Sequence, residues 1–302
     1  MDGLLIIDKP DGLTSHDVVA RVRRILKTKR VGHTGTLDPF ATGVMVILVG
    51  QATRLAQFLD KDEKEYEALV QFGFETDTGD RTGMRSAECG MRNEEVAELL
   101  LKTDWDELLA PFRGKIEQVP PMYSAKKVEG KKLYELARKG VEIERKAIKI
   151  VVSELNLQDG GEFRTPHSAL RIRVVCSAGT YIRTLAEDIG RAVGMGAHLA
   201  ELRRTRSGRF NISRAVTLAG LEAMPDPVGA LIPMREAVVH LPEVVLNEDR
   251  VAKTKNGLSS RFLDAGFADG DTVRMVNTAA DLIAIGAYNA EENTVQPRVV
   301  LG

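Results

Sequence analysis

Between positions 32 and 43 the chain reads Gly32-His33-Thr34-Gly35-Thr36-Leu37-Asp38-Pro39-Phe40-Ala41-Thr42-Gly43, and this stretch constrains the fold more than any other. Three glycines, one proline and four small or hydroxyl residues in twelve positions make a loop of demanding backbone geometry. A helical segment runs into it, capped by Thr14 or Ser15 and carrying Val18, Val19, Val22, Ile25 and Leu26 on one face. The apolar segment Val44–Val49 follows. A carboxylate in such a loop, Asp38, is well placed for chemistry. It would equally serve as a turn cap before Pro39, and on residue chemistry alone that plainer reading prevails. His33 is open in the same way: a satisfied loop residue, or a contact for a ring or a phosphate.

The surrounding pattern predicts an α+β protein, because strands and helices do not alternate regularly enough for a doubly wound sheet. Leu4–Asp8 reads as a buried strand before the Lys9-Pro10-Asp11-Gly12 turn. Tyr66, Ala68, Val70 and Phe72 alternate as in a half-buried strand, and so do Leu170, Ile172, Val174 and Cys176. Helices are predicted over Glu94–Leu109, around Leu133–Ala137 with Gly140 closing it, and after Thr180 with Ile182, Leu185, Ala186 and Ile189 inward. Pro225, Pro227 and Pro233 then punctuate the chain. From about Leu241 short β-like runs broken by glycine suggest a small all-β domain, joined to the rest by few contacts.

The 302 residues leave room for one large core or two unequal domains. The net charge of −1 argues against an obvious nucleic-acid binder, but the charge is segregated. Ala20–His33 holds six Lys/Arg and no carboxylate, Lys126–Lys149 nine against four Glu, and Glu201–Arg214 five Arg against one Glu. Asp60–Glu107 holds fifteen acidic residues against six basic. Such a layout suits a basic surface for phosphates, although amphipathic elements with solvated faces would explain it equally well. The two cysteines, Cys89 and Cys176, form neither a CxxC pair nor a metal-ligand pattern. No stretch approaches the ~20 apolar residues of a membrane span, and the start reads as a strand rather than a signal peptide. A cytoplasmic protein is expected.

Generic motifs fail. There is no phosphate loop and no HExxH pair, and Gly194-Met195-Gly196 lacks the third glycine of a dinucleotide fingerprint, which disfavours an oxidoreductase. Asp77 and Asp80 in Thr76-Asp77-Thr78-Gly79-Asp80 read as a solvated turn rather than a Mg²⁺ site.

The string Gly32–Pro39 with Ala41-Thr42-Gly43 resembles the signature of the TruB family of tRNA pseudouridine synthases. Other segments match that family in order: Asp8-Lys9-Pro10 with Thr14-Ser15-His16, Lys64-Glu65-Tyr66, Thr76–Asp80, Gln118 to Lys127, Cys176 to Arg183, and His198 with Leu202-Arg203-Arg204-Thr205. The resemblance covers residues 3–235, and the tail is similar in size, position and β character to an RNA-binding PUA-type domain. It implies a mixed, largely antiparallel sheet flanked by helices over residues 1–235, and a barrel-like PUA-type domain over 241–302.

The implied activity is isomerisation of uridine to pseudouridine at position 55 in the T loop of tRNA, without cofactor or metal. The protein would be a monomer needing no protein partner and no membrane. Carried onto this chain, the family pattern makes Asp38 the catalytic carboxylate and Tyr66 the ring that stacks on the flipped uracil and handles a proton. Arg183 would pair with Asp38 and keep its pKa low, and Tyr181 would help hold the site. His33 would fill the gap left by the extruded nucleotide, Leu202 would line the pocket floor, and Lys9 would support the first loop. Two other readings stay open: a non-catalytic tRNA-binding or folding protein on the same scaffold, and a guide-RNA-dependent synthase. The lack of a lysine-rich tail favours the stand-alone form.

Overall fold

The computed structural model describes residues 1–88, 90–124, 127–128, 131–132, 137, 140–141, 143–158, 163–164, 167–262 and 266–301. Cys89, Lys126 and most of the predicted helix around Leu133–Ala137 lie outside the described residues. No described helix is long and apolar enough to cross a membrane.

The chain opens with strand β1 (Gly3–Lys9), helix α1 (Ser15–Ile25), β2 (Val31–Thr34), β3 (Thr42–Val49) and β4 (Lys64–Phe72). Helices α2 (Asn93–Lys102) and α3 (Trp105–Leu109) precede β5 (Gly114–Gln118), β6 (Ile148–Leu157) and β7 (His167–Cys176). Helix α4 (Ile182–Val193), β8 (Ala197–Ser207) and the short β9 (Val216–Thr217) complete the first body. Its 11-stranded sheet runs β9-β1-β3-β8-β4-β7-β6-β5 along the main path. Only the β1–β9 and β3–β8 pairs are parallel, so the sheet is mixed and largely antiparallel as expected.

Local chemistry explains these elements. Thr14 caps α1 in a reciprocal capping box with Asp17, and Val18, Val19 and Val22 are buried while Arg21, Arg24 and Lys27 face out. The predicted helix over 94–109 is two helices, because Asp104 breaks the run by capping α3 through the amides of Asp106 and Glu107. The loop read over 32–43 is shorter than expected. His33 lies in β2 and Thr42-Gly43 in β3, which leaves residues 35–41 as the true loop.

β4 alternates as predicted, with Lys64, Tyr66, Ala68, Val70 and Phe72 buried. β1 and β3 do not alternate, because both of their faces are covered. Leu5, Ile7, Met45, Ile47 and Val49 pack with α1, whereas Leu4, Ile6, Val44, Val46 and Leu48 face the C-terminal sheet.

That second sheet has five strands, β10 (Glu243–Leu246), β11 (Ser260–Arg261), β12 (Thr272–Asn277), β13 (Leu282–Asn289) and β14 (Thr294–Val300). It is not all-β: helix α5 (Glu248–Lys255), capped by Asn247, lies between its first two strands. The expectation of few crossing contacts is also corrected. Val276, Leu282, Ile285, Val299 and Leu301 share one buried cluster with Leu4, Ile6, Val44, Val46 and Leu48.

Candidate active site

Asp38 sits in the 35–41 loop at the C-terminal end of β2, and its neighbours hold that loop by backbone hydrogen bonds. Lys9, fully buried, donates from Nζ to the carbonyls of Pro10, Pro39 and Ala41 at 2.9, 2.9 and 2.7 Å. Burial pushes its ammonium pKa down to about 8. Ser15, 2% exposed, donates from Oγ to Leu37 O at 3.1 Å and accepts from Leu37 N at 3.0 Å. Gly43 closes the loop where no side chain fits. Its φ is +101°, and a Cβ there would meet the Arg204 carbonyl oxygen on β8 at 2.2 Å.

The carboxylate meets Arg183 in the first turn of α4. Nε lies 2.9 Å from Oδ2, and Nη2 donates to Oδ1 at 3.2 Å, a two-pronged pair. The same guanidinium donates from Nη2 to Tyr123 O at 2.7 Å and from Nη1 to Thr78 O at 2.8 Å, with Asp80 Oδ2 3.9 Å from Nη1. Asp80 is not a solvated residue as its sequence suggested. It is 4% exposed, and its Oδ1 accepts from Thr78 Oγ1, Thr82 N and Thr82 Oγ1. Asp77, by contrast, is exposed.

Helix α4 is aimed by Gln118, 2% exposed, whose side-chain amide accepts from Tyr181 N at 2.8 Å and donates to Tyr181 O at 2.9 Å. The Asp38 side chain keeps about a third of its surface open. Burial is nevertheless the largest influence on it and pushes its pKa up, against the opposing pull of Arg183. The expectation of a lowered pKa is therefore corrected: desolvation outweighs the ion pair.

Tyr66 on β4 lines the same cavity as Asp38, 8% exposed, its hydroxyl pKa also raised by burial. Asp38, Tyr66, Tyr181, Arg183, Leu202, Arg204 and Lys64 line one cavity of about 230 Å³. A second cavity of about 460 Å³ shares Asp38, Arg183 and Ser124 with it and extends toward Thr14 and His16. The arrangement offers the Asp38 carboxylate, the Tyr66 and Tyr181 rings and buried cations around a space suited to a flat heterocycle.

Two family models match the chain. TruB family pseudouridylate synthase (N terminal domain) matches residues 23–182, and tRNA pseudouridylate synthase B C-terminal domain matches 183–237. The chain is 43% identical to tRNA pseudouridine synthase B of Solibacter usitatus over 100% of both chains. It is 43% identical to that of Heliobacterium modesticaldum over 99% of this chain and 95% of the other. The chain belongs to the TruB family of pseudouridylate synthases. Among solved structures, a Cbf5-Nop10-Gar1 complex aligns with TM-score 0.70 and 28% identity, covering 99% of this chain and 85% of that one.

As a TruB-family pseudouridylate synthase the chain is an isomerase, and its site straddles the two matched regions. The boundary falls between Ile182 and Arg183, so the Asp38–Arg183 pair joins them. Of the expected TruB residues, Asp38, Tyr66, Tyr181, Arg183 and Leu202 come together around one cavity. Lys9 stands behind the loop it holds. His33 lines neither cavity. Its ring packs edge-on against His16 with centroids 5.9 Å apart, and burial and then His16 lower its pKa.

Reading the sequence missed what Ser15, Asp80, Gln118 and Arg204 do, although each lies in a matched motif. The Glu201–Arg214 arginines, which the sequence left open between a basic surface and a solvated face, are mostly drawn into ion pairs or buried. Arg203 pairs with Asp8, Arg206 with Glu65 and Arg214 with Glu236, and Arg204 is buried.

Proposed function

We propose that the chain isomerises uridine 55 in the T loop of tRNA, working alone, with Asp38 as its catalytic residue. The observation that carries this reading is the two-pronged Arg183 grip on Asp38 in a cavity that Tyr66 also lines. Isomerisation breaks the N1–C1′ bond, turns the base and rejoins it through C5, with no change of oxidation state. The nucleotide must first leave the stack, at a cost of a few kcal/mol, and gain a new stacking partner. Tyr66 supplies that ring and accepts the proton that C5 must lose. Asp38 acts once ionised, as a nucleophile or as a base, and Arg183 fixes its aim. Tyr181 and Leu202 shape the pocket, Lys9 sustains the loop, and His33 fills the gap left in the T loop.

Residues 1–235 form the catalytic domain in this reading, and 241–302 form a PUA-type domain that adds affinity for RNA. The exposed Arg21, Lys27, Lys29 and Arg30 give phosphates a surface to follow. Relatives called tRNA pseudouridine synthase B support the stand-alone form over a guided one, because they align at 43% identity along their whole length. The work is expected in the cytoplasm, on free tRNA, by a monomer.

The test is the purified chain on an unmodified tRNA transcript, with the product nucleosides resolved. Pseudouridine should appear at one position without added RNA or protein. Conversion only in the presence of a guide RNA would defeat the stand-alone reading, and binding without conversion would leave a folding helper.

A further inference from the structure

Arg204 on β8 lies across from Tyr66 on β4 in the sheet register, and both line the same cavity. Its Nε donates to Val44 O at 2.7 Å and its Nη2 to Gly35 O at 2.9 Å, which fixes the guanidinium plane. On either side of it Arg203 pairs with Asp8 and Arg206 with Glu65. Arg204 is 1% exposed and, among the described residues, has no carboxylate partner. A buried guanidinium without a counter-charge is costly, and a neutral side chain would fill the space more cheaply. Its remaining neighbour is functional: the Tyr66 side chain lies across the register in the same cavity, and the Arg204 charge opposes the upward push of burial on the Tyr66 hydroxyl.

We propose that Arg204 is a positioning residue that holds the Tyr66 oxygen in one orientation and stabilises the negative charge that oxygen carries before it takes the proton from C5. This rests on the reading of Tyr66 as the proton acceptor. Once C5 is joined to C1′ it carries both its hydrogen and the sugar. The C5–H bond then breaks, its electron pair returns to the ring, and the proton passes to the Tyr66 oxygen. The hydroxyl's own proton has by then left for solvent in the cavity or for the Asp38 carboxylate, so the accepting oxygen is a phenolate that ends as a neutral hydroxyl. Nothing is oxidised or reduced. A guanidinium donating into one lone pair leaves the other lone pair free to meet C5. A lysine would keep the charge without the fixed fork.

Single-turnover rates on tRNA bearing uridine or [5-²H]uridine test this for the parent, Arg204→Lys, Arg204→Gln, Tyr66→Phe and the Tyr66→Phe/Arg204→Gln double variant. Melting temperature and tRNA affinity serve as controls for folding. Arg204→Gln should slow the parent by ~100-fold or more, the scale of a proton-transfer contribution. In the Tyr66→Phe background it should slow turnover by no more than about threefold, since two residues acting through one contact do not add. Arg204→Lys should fold and show a larger deuterium isotope effect than the parent, which a general loss of structure would not produce.

Equal slowing in both backgrounds would overturn the proposal, as would an isotope effect in Arg204→Lys unchanged from the parent's. A normal rate for Tyr66→Phe alone would overturn it by removing the acceptor. An inactive parent would defeat the functional reading beneath it instead. If Arg204→Gln does not fold, the isotope effect in Arg204→Lys decides.

Discussion

Two buried regions of this molecule are built on opposite principles. Around Asp38 the interior holds charge: Lys9, Lys64, Asp80, Arg183 and Arg204 are each under 5% exposed. Carbonyls meet the Lys9, Lys64, Arg183 and Arg204 donors, and the Thr78 and Thr82 hydroxyls and the Thr82 amide meet the Asp80 carboxylate. Where β1 and β3 meet the C-terminal sheet, the shared cluster of Leu4, Ile6, Val44, Val46, Leu48, Val276 and Ile285 is apolar. Arg54, donating to Val300 O, lies at its exposed margin. The first region is specified by completeness of hydrogen bonding, so removing one group leaves a partner stranded. The second is specified by area and fit, so its losses scale with volume removed. Changes near Asp38 should therefore cost rate, and changes at the junction should cost stability.

Asp38→Asn should break the comparison most sharply. The amide keeps shape but cannot attack or take a proton, so turnover should vanish while tRNA affinity stays within about tenfold, ~1.4 kcal/mol. Stability should move the other way. Folding raises the Asp38 pKa, so between its ordinary value and its folded one the native protein holds a proton that the unfolded chain has released. Stability therefore falls as pH climbs through that interval and stays lower above it. Asn removes this cost. At neutral pH the variant should melt above the parent, and the gap should close as pH drops below the ordinary carboxylate range. A variant melting lower at neutral pH would mean that Arg183 outweighs burial after all.

Arg183→Lys comes next. The guanidinium serves both Asp38 oxygens, Thr78 O and Tyr123 O, and no ammonium with three donors can span that set. Single-turnover rate should fall by ~100-fold, the usual scale for a misplaced catalytic group. The parent's acid limb should lie above the ordinary carboxylate range, because Asp38 must ionise against burial. In Arg183→Lys, with the ion pair weakened, that limb should move to still higher pH. An acid limb that does not move on this change would separate it from Asp38 ionisation.

The same contrast shows what was legible in the sequence. β4 could be read because one face is core and the other polar, so alternation survives in the residues. β8 could not: its pairing with β4 shifts register between Leu199 and Glu201 and again between Arg204 and Arg206. The inward positions thus lose their period of two, and Arg204 reads as one more surface arginine. Asp80 failed for a related reason, since Thr-Asp-Thr-Gly-Asp is the same string in a solvated turn and in a buried network. The apolar runs Leu4–Ile7 and Val44–Val49 did carry a cue that went unread. A strand apolar on both faces needs two covers, and α1 provides only one. The family pattern placed five residues on one cavity, yet it said nothing of the carbonyls that position them.

Ser15→Ala lies between the two regions. It strands the Leu37 N–H and C=O in the interior, a loss of about 1–3 kcal/mol. Asp38 is the next residue along, so the rate should fall by ~10-fold through loss of aim. Affinity for tRNA should hold. A lowered melting temperature with a parent-like rate would show that Lys9 alone suffices to hold the loop.

Ile285→Ala should have the smallest effect on rate and a plain effect on stability. The residue is 1% exposed and belongs to the cluster that joins β1 and β3 to the C-terminal sheet. Truncation there should cost about 2–4 kcal/mol, the range for large-to-small changes in a packed core. Ile285 does not line the Asp38 cavity, and the link between the cavity and this cluster runs through a backbone group, the Val44 carbonyl that accepts from Arg204. The rate at saturating tRNA should then stay within about twofold of the parent's, a change of ~0.4 kcal/mol on the scale of 1.4 kcal/mol per factor of ten. Because the cluster is continuous, thermal unfolding should also remain a single transition for parent and variant alike. Two separate transitions would mean that the C-terminal sheet melts on its own, and the cluster would then be an interface between independent bodies. A collapsed rate would mean that β3 transmits the loss to the loop that ends at its first residue, and the division between rate and stability would fail.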